Sequence, residues 1–158
     1  MQIFDSWAGE LSPHDFATFS LPSLVHISNS VRTQLADIDL PVPLTLFARG
    51  ANQSLSLLAA QSGYDVLGLD WCIEPADARR IVGEAVKGTN KTVAVQGNVD
   101  PIVLFGGRDA IEAEVKSMCE SFGKQGGWIA NLGHGISPGV DPDDLKWFFE
   151  CVHKYSNL

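Results

Sequence analysis

Trp128-Ile129-Ala130-Asn131-Leu132-Gly133-His134-Gly135-Ile136-Ser137-Pro138 is an apolar run that stops abruptly at a histidine held between two glycines. It reads as a strand ending at a reactive position: the glycines let backbone approach a ligand closely, and the imidazole donates, accepts or carries charge near neutral pH. A single Gly-His-Gly is weak by itself, so its meaning depends on what surrounds it.

Working outward, four more runs of the same kind precede it. Gln2 to Ala8 carries Ile3, Phe4 and Trp7; Pro43 to Ala48 closes on Arg49-Gly50; Val66 to Leu69 ends in Asp70-Trp71; Thr92 to Val95 delivers Gln96-Gly97-Asn98-Val99-Asp100-Pro101. Between them lie helical periodicities. Leu24, Ile27, Val31 and Leu35 predict an amphipathic helix over Pro22 to Ala36, which the stretch from Asp37 to Pro43 ends. Asn52 is placed to cap a helix carrying Leu55, Leu58 and Ala59, with Gly63 after it. Pro75 opens a helix with Ala78, Ile81, Val82, Ala85 and Val86 on one face and Gly88 as its stop. Ile111, Val115, Met118 and Phe122 trace another, closed by Gly123. Asp141 and Pro142 start the last, whose expected buried face is Leu145, Phe148, Phe149 and Val152.

Strand and helix thus alternate five times, and the strands are almost continuously apolar. That pattern predicts an α/β fold with a parallel sheet and right-handed crossovers. A doubly wound sheet and part of a barrel both satisfy it. The barrel is favoured by where the polar residues fall: Ser6, Arg49, Asp70, Gln96 with Asn98, and His134 each stand at the C-terminal end of an expected strand. In a (β/α)8 TIM barrel that rim carries the chemistry. The helix N-termini that follow add N–H groups suited to carboxylates.

Composition narrows the function classes. The 158 residues are 45% hydrophobic and 19% charged, which suits one folded domain with a core. A net charge of -8 and the absence of a basic run count against nucleic acid and anionic membrane as main partners. Cys72, Cys119 and Cys151 are far apart and form no Cys-x-x-Cys pair, so neither a disulfide framework nor a zinc knuckle is expected, and a reducing cytoplasm fits best. No apolar stretch is long enough to span a bilayer, and neither a basic n-region nor a long apolar h-region follows Met1, so a soluble protein is expected.

Taken together, Ile3-Phe4-Asp5-Ser6-Trp7-Ala8-Gly9, Gly68-Leu69-Asp70-Trp71, Gln96-Gly97-Asn98-Val99-Asp100-Pro101 and Asn131-Leu132-Gly133-His134-Gly135, in this order and spacing, resemble the uroporphyrinogen decarboxylase family. The likeness covers essentially the whole chain. It implies a partial TIM barrel, about the last five of eight β/α units, from a dimeric enzyme of haem biosynthesis. That enzyme removes the four acetate carboxyl groups of uroporphyrinogen to give coproporphyrinogen, with no metal or organic cofactor. The resemblance assigns substrate contacts to Ser6 and His134, both on the substrate's acidic side chains. This agrees with their chemistry, since a hydroxyl and an imidazole both donate to carboxylates. Asp70 and Asn98 lie in family-like motifs without an assigned contact, and Arg49 is a candidate counter-charge at its strand end.

The family's Arg-Gln-Ala-Gly-Arg motif, its pyrrole-binding aspartate and a substrate-contacting tyrosine have no counterpart here, so the resemblance leaves no certain catalytic residue in this chain. A polypeptide of these residues alone is therefore expected to be inactive and to present two unpaired sheet edges. A non-catalytic remnant or interaction module on the same scaffold is the rival reading. Zinc-dependent methyltransferases share the barrel, but Phe47-Ala48-Arg49 stands where their His-x-Cys would be, and Gly133-His134 occupies the region of their late cysteine. A nucleotide-binding doubly wound fold lacks its Gly-x-Gly-x-x-Gly.

Overall fold

The computed structural model describes residues 1–40 and 42–156. Pro41, within the stretch expected to end the first long helix, lies outside them. Five strands, β1 (Gln2–Asp5), β2 (Thr45–Ala48), β3 (Val66–Gly68), β4 (Ala94–Val99) and β5 (Trp128–Leu132), form one sheet in the order β1-β2-β3-β4-β5. Every neighbouring pair is parallel. A doubly wound sheet reverses its strand order at a switch point. This one never reverses, so its helices all cross on one side and the sheet is an arc of a barrel, as the rim polarity predicted.

Register separates the two faces. Ile3, Leu46, Leu67, Val95 and Trp128 align across the five strands. They turn toward the helices, where Leu46, Leu67 and Val95 are fully buried. The next row, Phe4, Phe47, Gly68, Gln96 and Ile129, lines the inner face. Among the described residues no helix covers that face, and at its two edges Phe4 and Ile129 remain 66% and 47% exposed.

β2 begins at Thr45 rather than Pro43 and β3 ends at Gly68 rather than Leu69, and two other strands differ from expectation as well. β1 stops at Asp5: the Arg49 N–H donates to the Asp5 carbonyl at 3.1 Å and the Gly9 N–H to the Arg49 carbonyl at 2.8 Å, turning the chain so that Trp7 lies outside the strand. β4 starts two residues later than Thr92 and continues through Asn98 to Val99. Gln96 and Asn98 therefore lie within the strand, not beyond it. The reason is pairing with β5, which runs alongside from Val95 to Val99, beyond the Ala94 to Gln96 register with β3. Gly97 also lets the Leu69 carbonyl approach where a Cβ would stand 2.8 Å from it.

The helices follow their periodicities with local exceptions. A one-turn α1 (Pro13–Asp15), capped by the Ser12 hydroxyl, leads through a π-turn into α2 (Leu21–Ala36). On α2 Leu24 is buried, whereas Ile27, Val31 and Leu35 are only half-buried. Ser28 is buried instead, donating to the Val25 and Ser62 carbonyls at 3.0 and 2.7 Å. α3 (Leu55–Gln61) buries Leu55, Leu58 and Ala59 as expected. Asn52 does not cap it; its amide is drawn away to Asp70. α4 (Pro75–Ala85) buries Ala78 and Val82. In α5 (Arg108–Phe122) all four predicted positions are buried, and Gly123 closes the helix at φ 69°. α6 (Pro142–Tyr155) is capped by Asp141, whose carboxylate accepts from the Asp143 N–H at 2.9 Å. Its buried face is Phe148 and Cys151; Phe149, expected inside, is 53% exposed because it faces the uncovered inner side.

Adjacent helices pack in sequence, α3 on α4, α4 on α5 and α5 on α6. Arg79 of α4 donates to the Phe122 and Gly126 carbonyls at the end of α5. Lys154 of α6 reaches Glu112 of α5 at 2.7 Å, and the Tyr155 hydroxyl donates to the same carboxylate. The Lys154 and Tyr155 hydrogen bonds hold the Glu112 carboxyl below its ordinary value of 4.5. A carboxyl lowered by folding stabilises the native state above that value and loses the contribution as pH falls through the lowered one. Fluorescence of Trp147, whose indole N–H donates to the Arg108 carbonyl across the same helix pair, should change as pH is taken from about 6 to about 3. Glu112→Gln should remove the acid-dependent component; a Trp147 signal whose pH profile is the same in both proteins would exclude this pair as its source.

Candidate functional site

Two hollows open on the C-terminal side of the sheet. The larger, about 340 Å³, lies on the inner face against Phe4, Phe47, Gln96, Asn131 and His134, with Phe149 closing one side. The smaller, about 190 Å³, is formed by Ser6, Glu10, Arg49, Asp70, Trp71 and Cys72. His134 and Ser6 therefore line different hollows. Trp71 connects them: it borders the second and meets the His134 ring edge-on at 6.3 Å between centroids. Phe47 meets the same imidazole edge-on from the inner face at 6.0 Å.

His134 follows β5 by two residues. The Gly133 N–H donates to the Val99 carbonyl at 2.7 Å, so the chain is still tied to β4 one residue before the imidazole. Gly133 is buried, and a Cβ there would stand 2.7 Å from the Trp71 backbone nitrogen. The glycine is thus required by the close approach of two rim turns. His134 itself is exposed, offering both ring nitrogens to a ligand.

Asp70 and Asn98 are nearly inaccessible, at 4% and 6% exposure. The Asp70 carboxylate accepts from the Gly50 N–H at 2.7 Å, the Asn52 amide at 2.7 Å and the Cys72 N–H at 2.9 Å. The Asn98 amide donates to the Asp70 carbonyl at 2.9 Å and the Ile73 carbonyl at 2.7 Å. Their polar groups are spent on the backbone of the rim, and neither side chain lines the larger hollow. Arg49 projects from the end of β2 and is exposed, with no carboxylate in ion-pair range among the described residues. Ser6 is exposed just beyond β1.

Cys72 is the one exposed thiol. Slight desolvation of the sulfur at the rim, then the charge and hydrogen bond of Asp70, push its pKa up, with Arg49 opposing in part. A thiol so held is a poor nucleophile at neutral pH. Among the described residues, no three His, Cys, Asp or Glu side chains converge to hold a metal ion.

Sequence reasoning passed over Asn131, Phe47 and Trp71 as contributors. Asn131 had a signal: it is a polar residue two positions from Ile129 in an apolar strand, on the face that Ile129 turns inward. Phe47 and Trp71 had none, because an aromatic in a strand or a turn reads first as core or as loop.

The family model described as "Uroporphyrinogen decarboxylase (URO-D)" matches residues 1–155. The uroporphyrinogen decarboxylase of Schizosaccharomyces pombe is 49% identical over 160 residues, covering 99% of this chain and 42% of the yeast protein. That of Homo sapiens is 42% identical over 159 residues, covering 100% of this chain and 41% of the human one. The chain thus spans about two fifths of the length of these relatives. Among solved structures, a methyltransferase from Methanosarcina mazei superposes with a TM-score of 0.76 over 98% of this chain and 41% of its own. At 22% identity that is a likeness of fold. Motifs, one-directional sheet and an end-to-end family match agree: the chain belongs to the uroporphyrinogen decarboxylase family.

Proposed function

We infer that this chain carries one wall of a uroporphyrinogen decarboxylase substrate site, and that the complete protein removes the four acetate carboxyl groups of uroporphyrinogen to give coproporphyrinogen. The observation that carries this reading is His134: an exposed imidazole at the end of β5, held edge-on by Phe47 and Trp71, on a hollow walled by Phe4 and Phe47, by Phe148 and Phe149 of α6, and by the amides of Gln96 and Asn131. Such a wall suits a large, mostly apolar ligand with carboxylates at its periphery. His134 donates to one carboxylate; in the neighbouring hollow Ser6 and Arg49 offer a hydroxyl and a guanidinium to another. Loss of carbon dioxide from a pyrrole acetate also needs a proton delivered to the carbon left behind and stabilisation of a cationic ring. Nothing on this wall does both, so the chain alone binds and orients rather than turns over.

The complete protein is read as a homodimer and, with three unbridged cysteines, as cytoplasmic. Among the described residues no helix is long and apolar enough to cross a membrane. One other reading, an interaction module without turnover, draws on the same observation that nothing on this wall supplies both the proton and the stabilisation of the cationic ring.

The test is complementation. The 158-residue chain alone should release no carbon dioxide from uroporphyrinogen; combined with the remainder of a relative such as the yeast enzyme, it should. His134→Asn in the combined protein should lower kcat/KM about 10- to 100-fold, the worth of one hydrogen bond to a charged group. Unchanged turnover and product distribution in that variant would remove His134 from the site. A combined protein that folds and stays inactive would favour the interaction module.

A further inference from the structure

We propose that Asp70 and Asn98 are positioning residues for His134: together they fix the Asp70-Trp71-Cys72 turn, and that turn sets where the imidazole stands on the inner face. The inference rests on the reading of His134 as a substrate contact for its functional meaning, but its evidence is independent of that reading.

Three contacts chain the hub to the imidazole. First, Asp70 gathers the Gly50 and Cys72 N–H groups and the Asn52 amide, so one carboxylate pins the turn after β3 to the turn after β2. Second, Asn98, inside β4, pins the same turn from the other side through the Asp70 and Ile73 carbonyls. Third, Gly133 seats directly on the pinned turn. A Cβ there would meet the Trp71 nitrogen at 2.7 Å, the Asp70 carbonyl carbon at 3.0 Å and the Asn98 carbonyl oxygen at 3.1 Å. The Trp71 ring then meets the next residue, His134, edge-on. Close-packed contacts of this kind have no slack, so moving the turn moves the imidazole. Side chains locked by buried hydrogen bonds hold a reacting group in place more firmly than a loop does alone.

Asp70 and Asn98 do not line the larger hollow, so they act through His134 and not on a ligand there. The half-buried Asn52 is the outermost member of the same set.

Histidine-selective isotope labelling of the full chain gives four ring signals, from His14, His26, His134 and His153. His134→Gln identifies the His134 signal by its disappearance. Trp71→Leu shows where that signal moves when the facing ring is lost; Trp71→Phe, which keeps a ring, should bring it partway back. Asn98→Ala should displace the His134 signal while leaving the other three and the far-ultraviolet circular dichroism unchanged. Should Asn98→Ala fail to fold, Asn52→Ala decides by the same criterion, because it removes one of three Asp70 partners at a half-buried position. A folded variant whose His134 signal stays at its original place overturns the proposal. A displaced signal combined with unaffected turnover in His134→Asn would keep the positioning role and sink the substrate-contact reading instead.

Discussion

A polypeptide of these 158 residues, purified alone, self-associates. Its sheet ends in two strands, β1 and β5, each paired on one side only. The face between them is largely apolar, interrupted by Gln96 and Asn131, with Phe4 and Ile129 exposed at its edges and Phe149 beside it. Unpaired strand edges template further pairing, and a contiguous apolar face drives association. Covering such a face takes an interface of about 1,600 Å², and interfaces of that size bind with dissociation constants from about micromolar to picomolar. Size-exclusion chromatography and light scattering above about 10 µM should therefore report an oligomer, with binding of a hydrophobic dye at the uncovered face. Addition of the remainder of a relative's chain should compete with self-association, because only that polypeptide supplies strands in the register that closes the arc. A monodisperse monomer with one sharp cooperative melt would overturn this expectation.

Asp70→Ala lowers stability by about 3 kcal/mol. The magnitude follows from what the substitution strands: the N–H groups of Gly50 and Cys72 and the amide of Asn52 all lose their acceptor at a position that is 4% exposed. Gly50 and Cys72 are exposed and Asn52 is half-buried, and the carboxylate borders the smaller hollow, so water re-satisfies these donors in part and each costs near the lower end of about 1–3 kcal/mol. Asp70→Asn keeps the shape and one acceptor oxygen, so its cost should be about half. Urea midpoints measured at one fixed protein concentration provide the check, since association adds to apparent stability. A loss under about 1 kcal/mol for the alanine variant would mean that the carboxylate is not the anchor of the rim.

Much of the architecture could be read from the chain. Ile111, Val115, Met118 and Phe122 keep helical spacing and all four are buried, because α5 is covered along one stripe by β4 and α6. Asp141 was legible as a cap because its carboxylate acts on the N–H two residues later, which is a local matter. Asn52 misled for the opposite reason. Its spacing suits a cap, but its amide N–H donates to the buried Asp70 carboxylate in the turn after β3, which holds the side chain away from the helix N-terminus. Phe149 misled as well: helical periodicity marks a residue as apolar-facing without saying whether anything covers that face.

The sequence by itself determined the alternation of strand and helix, the parallel direction of the sheet, the polar rim, and through four motifs the family resemblance that named Ser6 and His134. These rest on spacing and residue type, which are properties of short segments. Only the tertiary structure decided that the sheet never reverses its order, that Gln96 and Asn98 lie inside β4, that Ser6 and His134 line separate hollows, and that Asp70 and Asn98 serve the rim backbone. Each of those depends on which distant segments come into contact, here Gly133 on the Asp70-Trp71 turn and Asp70 on Gly50, and no local periodicity encodes a contact between residues that far apart.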